Sequence, residues 1–214
     1  MRTSDNAAPQ TQAFWGEIAP CDHLVQIYED ELAFLDVLGG FVTGGLHAGE
    51  AVIIIATEAH RHSLEARLKA AGIDVPAARA VDAYISLDAA ETLSSFMVDD
   101  WPDEERFKQT VSALLSRAGA HGRRVRAFGE MVALLWAQGH CGATVRLEYL
   151  WNRFCEQEGF SLLCAYPKSG FTADAADSIR QICDAHSHVA DREGTRTRSE
   201  SSFKELRKRL NPSA

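Results

Sequence analysis

The residue in this sequence that is best placed to do chemistry is Glu130, an acid that follows the predicted strand 125–128 after one glycine. A carboxylate in this position can serve as a general acid or base, or it can accept hydrogen bonds from nearby groups. The chain contains no G-x-x-x-x-G-K-[ST] loop that would bring a magnesium-bound nucleotide to it. We therefore predict that Glu130 caps a helix or hydrogen-bonds within a pocket, and that it is not catalytic.

A second candidate is the triplet His60-Arg61-His62, at the predicted start of a helix. Free N–H groups at a helix N-terminus and an arginine side chain can together hold an anion. The alternative is an exposed polar first turn with no ligand. The triplet is therefore a candidate for ligand contact, and not a catalytic group.

Metal-ligating and nucleophilic residue types form no recognisable pattern. His186-Ser187-His188 lies near a predicted helix end with no second cluster in the sequence, so we predict no metal site. Cys164 lies inside a predicted strand and is interpreted as a buried core thiol. No G-x-S-x-G motif supports hydrolase chemistry. The residues thus predict no catalytic group, and they name no cofactor.

Apolar patterns predict strands that alternate with helices, at 23–28, 51–56, 84–87, 125–128 and 160–166. Such alternation predicts a parallel sheet covered by helices on both faces. We expect a disordered leader over 1–20, one α/β domain over 21–189, and a basic, partly helical or disordered tail over 190–214. Phe203, Leu206 and Leu210 would give that tail a narrow apolar stripe, and any ordered part is expected to be helical.

Three local signals predict helix boundaries. Gly44-Gly45 is expected to end the first helix. Thr57 is expected to cap a second helix that begins at once, because residues 57–64 contain no glycine. Asp88 is expected to cap a third helix that continues through Phe96 and Met97.

Ligands of parallel sheets bind beyond the carboxyl ends of the strands. The candidate site therefore collects the residues predicted at those ends: Tyr28, Glu29, Thr57, His60, Arg61, Asp88, Glu130 and Tyr166. Two aromatic rings, several carboxylates, one arginine and one histidine could line a modest pocket. This set predicts a binding site for a small molecule.

Charge and cysteine content limit the function classes. The net charge is −8, and the last 23 residues carry seven Lys/Arg against three Asp/Glu, so the body is strongly acidic. An acidic body argues against direct nucleic-acid binding. Five cysteines without a C-x-x-C pattern indicate reduced thiols. The longest apolar run, 51–56, is too short for a membrane span, and with no signal sequence the chain is predicted to be cytoplasmic.

The segment from Gly44 to Glu50 leads directly into the predicted strand 51–56. Together they resemble the beginning of the first core strand of RecA- and KaiC-like ATPases. In those ATPases a glycine-rich phosphate loop with a lysine follows that strand. Residues 57–64 contain neither glycine nor lysine. The resemblance therefore implies a RecA/KaiC-like three-layer sandwich that lacks a functional phosphate loop.

Five segments, one of them within the stretch just described, carry a resemblance to one family: His23 to Asp30, Gly45 to Glu50, Phe128 to Trp136, Leu147 to Asn152, and Ser161 to Pro167. Together they resemble the MEDS sensory domain, named for methanogen and methylotroph proteins and for the dichloromethane-responsive repressor of methylotrophs. The resemblance covers about residues 20–188. It implies a KaiC/RecA-related fold used for sensing, with a small ligand for which a hydrocarbon-derived compound has been proposed.

We therefore predict a non-enzymatic sensory or regulatory protein of bacterial signal transduction, which binds a small molecule or a partner protein at the strand ends. Domains of this family are often fused to a histidine kinase or a DNA-binding domain. Only 25 residues follow residue 189, so we expect the output to be a separate signalling kinase or regulator. A homo-oligomer is compatible with the sequence. Two alternatives remain open: a residual nucleotide-binding switch with a non-standard loop, and a ligand-free scaffold for a histidine kinase or anti-sigma system.

Overall fold

The computed structural model describes residues 18–171, 176–190 and 196–198. It contains a seven-stranded sheet in the order β3-β2-β6-β7-β1-β8-β9 and a separate hairpin of β4 and β5. The strands are β1 (His23–Tyr28), β2 (Ala51–Ala56), β3 (Tyr84–Asp88), β4 (Met97–Val98), β5 (Trp101–Pro102), β6 (Val125–Gly129), β7 (Ser161–Pro167), β8 (His188–Ala190) and β9 (Arg196–Arg198). All neighbours in the sheet are parallel except β8 and β9. The predicted α/β class is confirmed, and β9 makes the sheet mostly rather than wholly parallel.

Helices cover both faces of the sheet, as predicted. They are α1 (Glu31–His47), α2 (Glu58–Ala70), α3 (Val75–Ala80), α4 (Ala89–Ser94), α5 (Glu104–Ala118), α6 (Met131–Ala137), α7 (Cys141–Glu158) and α8 (Ala176–Asp184). Alternate residues of a strand point to opposite faces. In β2, Ile54 accordingly packs with α1 to α3, whereas Ile53 and Ile55 pack with the helices from α4 to α8. The sheet is therefore the middle of three layers.

The first helix does not end at its glycine pair. It continues to His47, and the turn that follows contains Gly49 with a φ of 74°. A Cβ atom at Gly45 would lie 3.0 Å from side-chain atoms of both Arg126 and Val52. Gly45 therefore lets α1 approach the sheet closely, which is why the glycine signal was misinterpreted as a helix end.

The helix capped by Asp88 is shorter than predicted. The Asp88 carboxylate accepts hydrogen bonds from the N–H groups of Ala90 and Glu91, as expected of an N-cap. However, α4 ends at Ser94, and Met97 begins the β4–β5 hairpin. Two consecutive residues of the hairpin turn, Asp99 and Asp100, have φ values of 48° and 59°. Positive φ at both central residues is typical of a two-residue hairpin turn. The chain therefore forms a hairpin here, although its apolar residues have helical spacing.

The ends of the chain are described only in part. The predicted leader lies outside the described residues up to residue 17, while Ile18 packs into the core beneath α1. Helix α8 begins at Ala176, and residues 172–175 before it lie outside the described part. In the predicted tail, 196–198 form the strand β9 rather than a helix, and the apolar stripe at 203–210 is outside the described residues. Within the described ranges, none of the helices combines the length and the apolar character that a bilayer crossing requires.

Candidate functional site

The order of the strands reverses between β2 and β6, which are parallel neighbours. The chain leaves β2 through α2 and α3 to β3 on one side, and it leaves β6 through α6 and α7 to β7 on the other. A crevice forms at such a switch point because the two connections diverge, and open α/β sheets bind their ligands there. The residues that follow the two strands are Thr57 and Glu130. We call the region around them the switch-point crevice.

Glu130 bridges this crevice. One carboxylate oxygen, Oε2, accepts a hydrogen bond from the Thr57 backbone N–H at 2.8 Å. The other, Oε1, lies 2.8 Å from Nδ1 of His60 and 3.4 Å from the Thr57 hydroxyl. The Glu130 backbone N–H donates to the carbonyl of Ile55 in β2 at 2.9 Å. Glu130 thus ties the end of β6 to the N-terminus of α2, where the helix dipole favours a negative charge.

Thr57 performs a different task from the one predicted. Helix α2 does begin at Glu58, with only Thr57 between it and the end of β2, which confirms that the helix starts at once. The Thr57 side chain, however, makes no capping hydrogen bond to α2. Its hydroxyl donates to Glu130 instead. The protein's own carboxylate therefore occupies the position beside the α2 N-terminus that the sequence suggested for an external anion.

His60 lies between two carboxylates. Its Nδ1 contacts Glu130, its Nε2 lies 3.5 Å from a carboxylate oxygen of Glu31, and its ring packs edge-on against Phe34. The hydrogen bond to Glu130 raises the pKa of His60, with support from the negative charges of Glu130 and Glu31 and against the opposing effect of burial. The crevice therefore favours a charged imidazolium.

Arg61 faces the neighbouring strand β3. Its Nη2 donates to the Asp88 carboxylate at 3.1 Å. Hydrogen bonds from the Glu91 and Ala90 backbone N–H groups and the contact with Arg61 hold the pKa of Asp88 below its usual range. The Nε atom of Arg61 is buried and has no hydrogen-bond partner within the described residues. Buried polar groups are normally paired, so this donor is available to an acceptor that enters the crevice.

Tyr28 closes the crevice on the side of β1. Its ring stacks on Phe34 with centroids 4.6 Å apart. Burial, together with the charges of Glu130 and Glu31, raises the pKa of the Tyr28 hydroxyl to about 12. The neighbouring Glu29 lies at the exposed rim, where it accepts a hydrogen bond from Lys168 at 2.6 Å.

Tyr166 does not join this group. Its side chain is fully buried on the other face of the sheet, where its hydroxyl donates to Glu148. The prediction placed it at the strand ends because β7 ends one residue later. Alternation along the strand instead directs its ring away from the switch-point crevice.

Sequence reasoning missed two sets of residues. In the crevice, Glu31 and Phe34 come from the start of α1, and neither was among the predicted site residues. The second set is a buried polar cluster of His23, Glu148, Cys164 and His186, which we call the His–Glu–Cys–His cluster. Cys164 and His186 were considered separately, and no metal site was predicted. The available signal was Glu148, an acid in the apolar face of an amphipathic helix.

A groove of about 390 Å³ lies at the opposite, amino end of β6 and β7. Its lining includes Leu115, Arg123 and Phe160. The Arg123 guanidinium there already donates to the backbone carbonyls of Ala118 and Val81. The groove also has polar side chains in its lining, among them Arg124 and Glu158. We nevertheless place the candidate site at the strand ends, because open α/β sheets bind their ligands beyond the carboxyl ends of the strands.

Comparisons with known proteins point to one family. The family model for MEDS, described as the methanogen/methylotroph, DcmR sensory domain, matches residues 22–187. A solved structure from Pyrococcus horikoshii OT3, whose description names only a structural study, covers 84% of this chain and 85% of its own at 10% identity, with a TM-score of 0.54. That likeness concerns the fold alone. No curated protein matches the chain.

Proposed function

This chain belongs to the MEDS family of sensory domains, and from this membership we propose that it is a non-enzymatic sensory or regulatory protein that binds a small molecule in the switch-point crevice. The observation that carries the proposal is the position of Glu130, whose carboxylate joins β6 to α2 at the point where open sheets bind ligands. A ligand that competes with Glu130 for Thr57 or His60 would alter the junction between β2, β6 and α2. Such a change would be the signal that the sensor passes on.

The charges of the crevice suggest the chemical class of the ligand. Glu31, Asp88 and Glu130 supply carboxylates, against the cationic groups of Arg61 and His60. This balance disfavours a strongly anionic molecule. The Nε–H of Arg61, which has no partner among the described residues, and the half-buried ring of Tyr28 instead suit a small uncharged molecule with an oxygen acceptor and an apolar part.

We also propose that the fold is related to the RecA- and KaiC-like ATPases but has lost nucleotide binding. The support is the glycine-containing segment before β2 and the acid Glu130 after β6. Only Thr57 lies between β2 and helix α2, which leaves no loop to wrap a phosphate group. Sensing, rather than ATP turnover, is therefore the proposed task.

The output of the sensor is proposed to be a protein contact in the cytoplasm, with a signalling kinase or a regulator as the partner. The acidic body supports a protein partner over nucleic acid, because phosphate contacts need clustered basic side chains.

The test is a thermal-shift screen of the full chain against small neutral alcohols, ethers and amides, with magnesium-ATP as a separate arm. We expect at least one neutral compound to stabilise the protein, by about 2.7 kcal/mol at a concentration 100 times its Kd. Arg61→Gln should abolish that stabilisation. The matched control is Arg67→Gln on the same helix, since Arg67 pairs with the exposed Asp36 away from the crevice.

Two results would contradict the proposal. Binding of magnesium-ATP that is lost in Glu130→Gln would indicate a residual nucleotide switch. Stabilisation by none of the compounds, together with a stable protein partner in a pull-down, would indicate a scaffold without a ligand.

A further inference from the structure

We propose that His23, Glu148, Cys164 and His186 form a binding site for one divalent transition-metal ion, with zinc as the best-fitting ion. This inference concerns the His–Glu–Cys–His cluster, which lies on the other face of the sheet from α1 and α2, and it does not depend on the function proposed for the crevice.

Four separate elements bring these side chains together. His23 is the first residue of β1, Cys164 lies in the middle of β7, Glu148 lies inside α7, and His186 lies between α8 and β8. All four side chains are buried, with residue exposures of 0 to 3%. Residues distant in the sequence thus converge on one point in the core, and each offers a metal-ligating atom within 4.8 Å of the others.

Four of the six separations between the ligand atoms match the edges of a tetrahedron, and the other two are no longer than 4.8 Å. Oε2 of Glu148 lies 3.5 Å from Nε2 of His23, 3.4 Å from Nε2 of His186 and 3.6 Å from Sγ of Cys164. Nε2 of His23 lies 3.5 Å from Sγ of Cys164. In tetrahedral zinc sites, bonds of about 2.0 to 2.3 Å separate the ligand atoms by roughly 3.3 to 3.6 Å. The side chains would therefore need little movement to coordinate an ion.

The outer nitrogens of both histidines are held in the way that metal ligands require. Nδ1 of His23 lies 3.0 Å from the carbonyl oxygen of Ala185, and Nδ1 of His186 lies 2.6 Å from that of Ile182. A proton on each Nδ1 would be donated to these carbonyls, which directs both Nε2 lone pairs into the cluster. Backbone carbonyls in this role are the usual outer contacts of metal-bound histidine.

One atom of the cluster is left without a hydrogen bond. Nε2 of His186 is buried and has no hydrogen-bond partner in the part of the chain that the structure describes. It lies 3.4 Å from Oε2 of the Glu148 carboxylate. A buried group of this kind calls for an explanation, and a cation at the centre would satisfy it together with the other three ligand atoms.

The charges would balance on binding. A thiolate from Cys164 and a carboxylate from Glu148 supply two negative charges, and neutral His23 and His186 supply none, so a divalent ion makes the centre neutral. A neutral centre is compatible with full burial, whereas isolated charges are not. The Tyr166 hydroxyl donates to Oε1 of Glu148, which orients the carboxylate and leaves Oε2 to face the centre.

Without the ion, burial disfavours the charged forms of His23, Glu148 and Cys164. Burial raises the pKa of Glu148 and of Cys164, and burial with the neighbouring His186 lowers the pKa of His23. Metal binding would then release protons from the thiol and the carboxyl group. The protein supplies all four ligands, which is typical of a structural rather than a catalytic site. The ion would hold the segment between α8 and β8, which contains His186, in place against β1, β7 and α7.

The test uses the full chain, stripped with a chelator under reducing conditions and then titrated with Zn²⁺ or Co²⁺. We expect one ion per chain. We also expect Co²⁺ to give the visible bands of tetrahedral coordination and a sulfur-to-cobalt charge-transfer band, which Zn²⁺ should abolish by competition. The wild-type chain alone thus decides the question. A stripped protein that binds no ion, or that binds Co²⁺ without the sulfur band, would overturn the proposal.

Variants locate the site. Cys164→Ser and Glu148→Gln should each weaken metal affinity by at least about 10-fold, and the first should remove the sulfur band. The matched control is Cys155→Ser, another buried thiol, whose contact is the carbonyl of Phe160 and not the cluster. Equal affinity and spectra in Cys164→Ser, Cys155→Ser and the wild type would place the ion elsewhere and overturn the proposal.

Discussion

The switch-point crevice and the His–Glu–Cys–His cluster pair histidine with glutamate in opposite surroundings. In the crevice, the hydrogen bond to Glu130 outweighs the effect of burial and raises the pKa of His60. In the cluster, burial and the neighbouring imidazole outweigh the hydrogen bonds and lower the pKa of His23. The comparison shows that the degree of burial decides whether the pKa of a histidine beside a glutamate is raised or lowered. The crevice holds paired charges near solvent, whereas burial in the cluster disfavours the charged forms of His23, Glu148 and Cys164.

The largest expected difference concerns the two glutamates. Glu148→Ala should lower the free energy of unfolding by about 3 kcal/mol, because it opens a cavity and leaves the buried Tyr166 hydroxyl unpaired. Glu130→Ala should cost about 1 kcal/mol, because water can replace the carboxylate at the Thr57 N–H.

Urea denaturation in the presence of a chelator measures both values, so that residue contacts are compared without any metal ion. Equal losses in the two variants would show that burial does not separate the regions as we argue.

A smaller difference is expected for the two tyrosines. Tyr166→Phe should cost about 1 to 2 kcal/mol, since Glu148 would lose its hydroxyl donor in the core. Tyr28→Phe should change stability by less than about 0.5 kcal/mol, because its ring stacking on Phe34 is retained and its half-buried hydroxyl reaches water. Urea denaturation of both variants, each against the wild type, gives the comparison. A Tyr28→Phe loss as large as that of Tyr166→Phe would mean that the Tyr28 hydroxyl has an essential partner in the crevice.

The sequence predicted the layers of the fold better than it predicted the sites, and the reason is physical. Strands such as 51–56 are apolar throughout, and the alternation with helices allows few arrangements. Glu130 was found because it follows a strand directly. The four residues of the buried cluster lie on four elements, and only the pairing of β1 with β7 and the packing of α7 bring them together. The spacing of residues along a single sequence does not show that these four side chains lie together in the fold.

The local predictions that were wrong concern residues that can play two different structural roles. Glycine can end a helix or admit a close neighbour, and at Gly45 the neighbour Arg126 decided the outcome. Tyr166 was assigned to the strand ends by its position along the chain, although the side of the sheet it faces depends on register. Both errors concern contacts between distant residues.

The pH dependence should have opposite signs in the two regions. The folded pKa of His60 is raised above the unfolded value of about 6.5, so its stabilisation is present below that pH and is lost as the pH rises through the folded pKa. The folded pKa of His23 is lowered, so the unfolded chain binds the proton first and stability falls as the pH drops below about 6.5.

NMR titration of the imidazole groups separates the two histidines. The midpoint of His60 should lie above 6.5 and return toward it in Glu130→Gln, while His23 should remain neutral well below that pH. A His60 midpoint that does not respond to Glu130→Gln would remove the proposed coupling from the crevice.

The smallest expected effect tests which contact holds Glu130 in place. Thr57→Val keeps the shape of the side chain and removes the hydroxyl, which lies 3.4 Å from Glu130, while the backbone N–H at 2.8 Å is retained. We expect stability to change by less than about 0.5 kcal/mol, because a long hydrogen bond near solvent contributes little. The titration midpoint of His60 should move much less than it does in Glu130→Gln. A loss above about 1 kcal/mol, or a His60 midpoint equal to that of Glu130→Gln, would show that the Thr57 hydroxyl, and not the start of α2, positions the carboxylate.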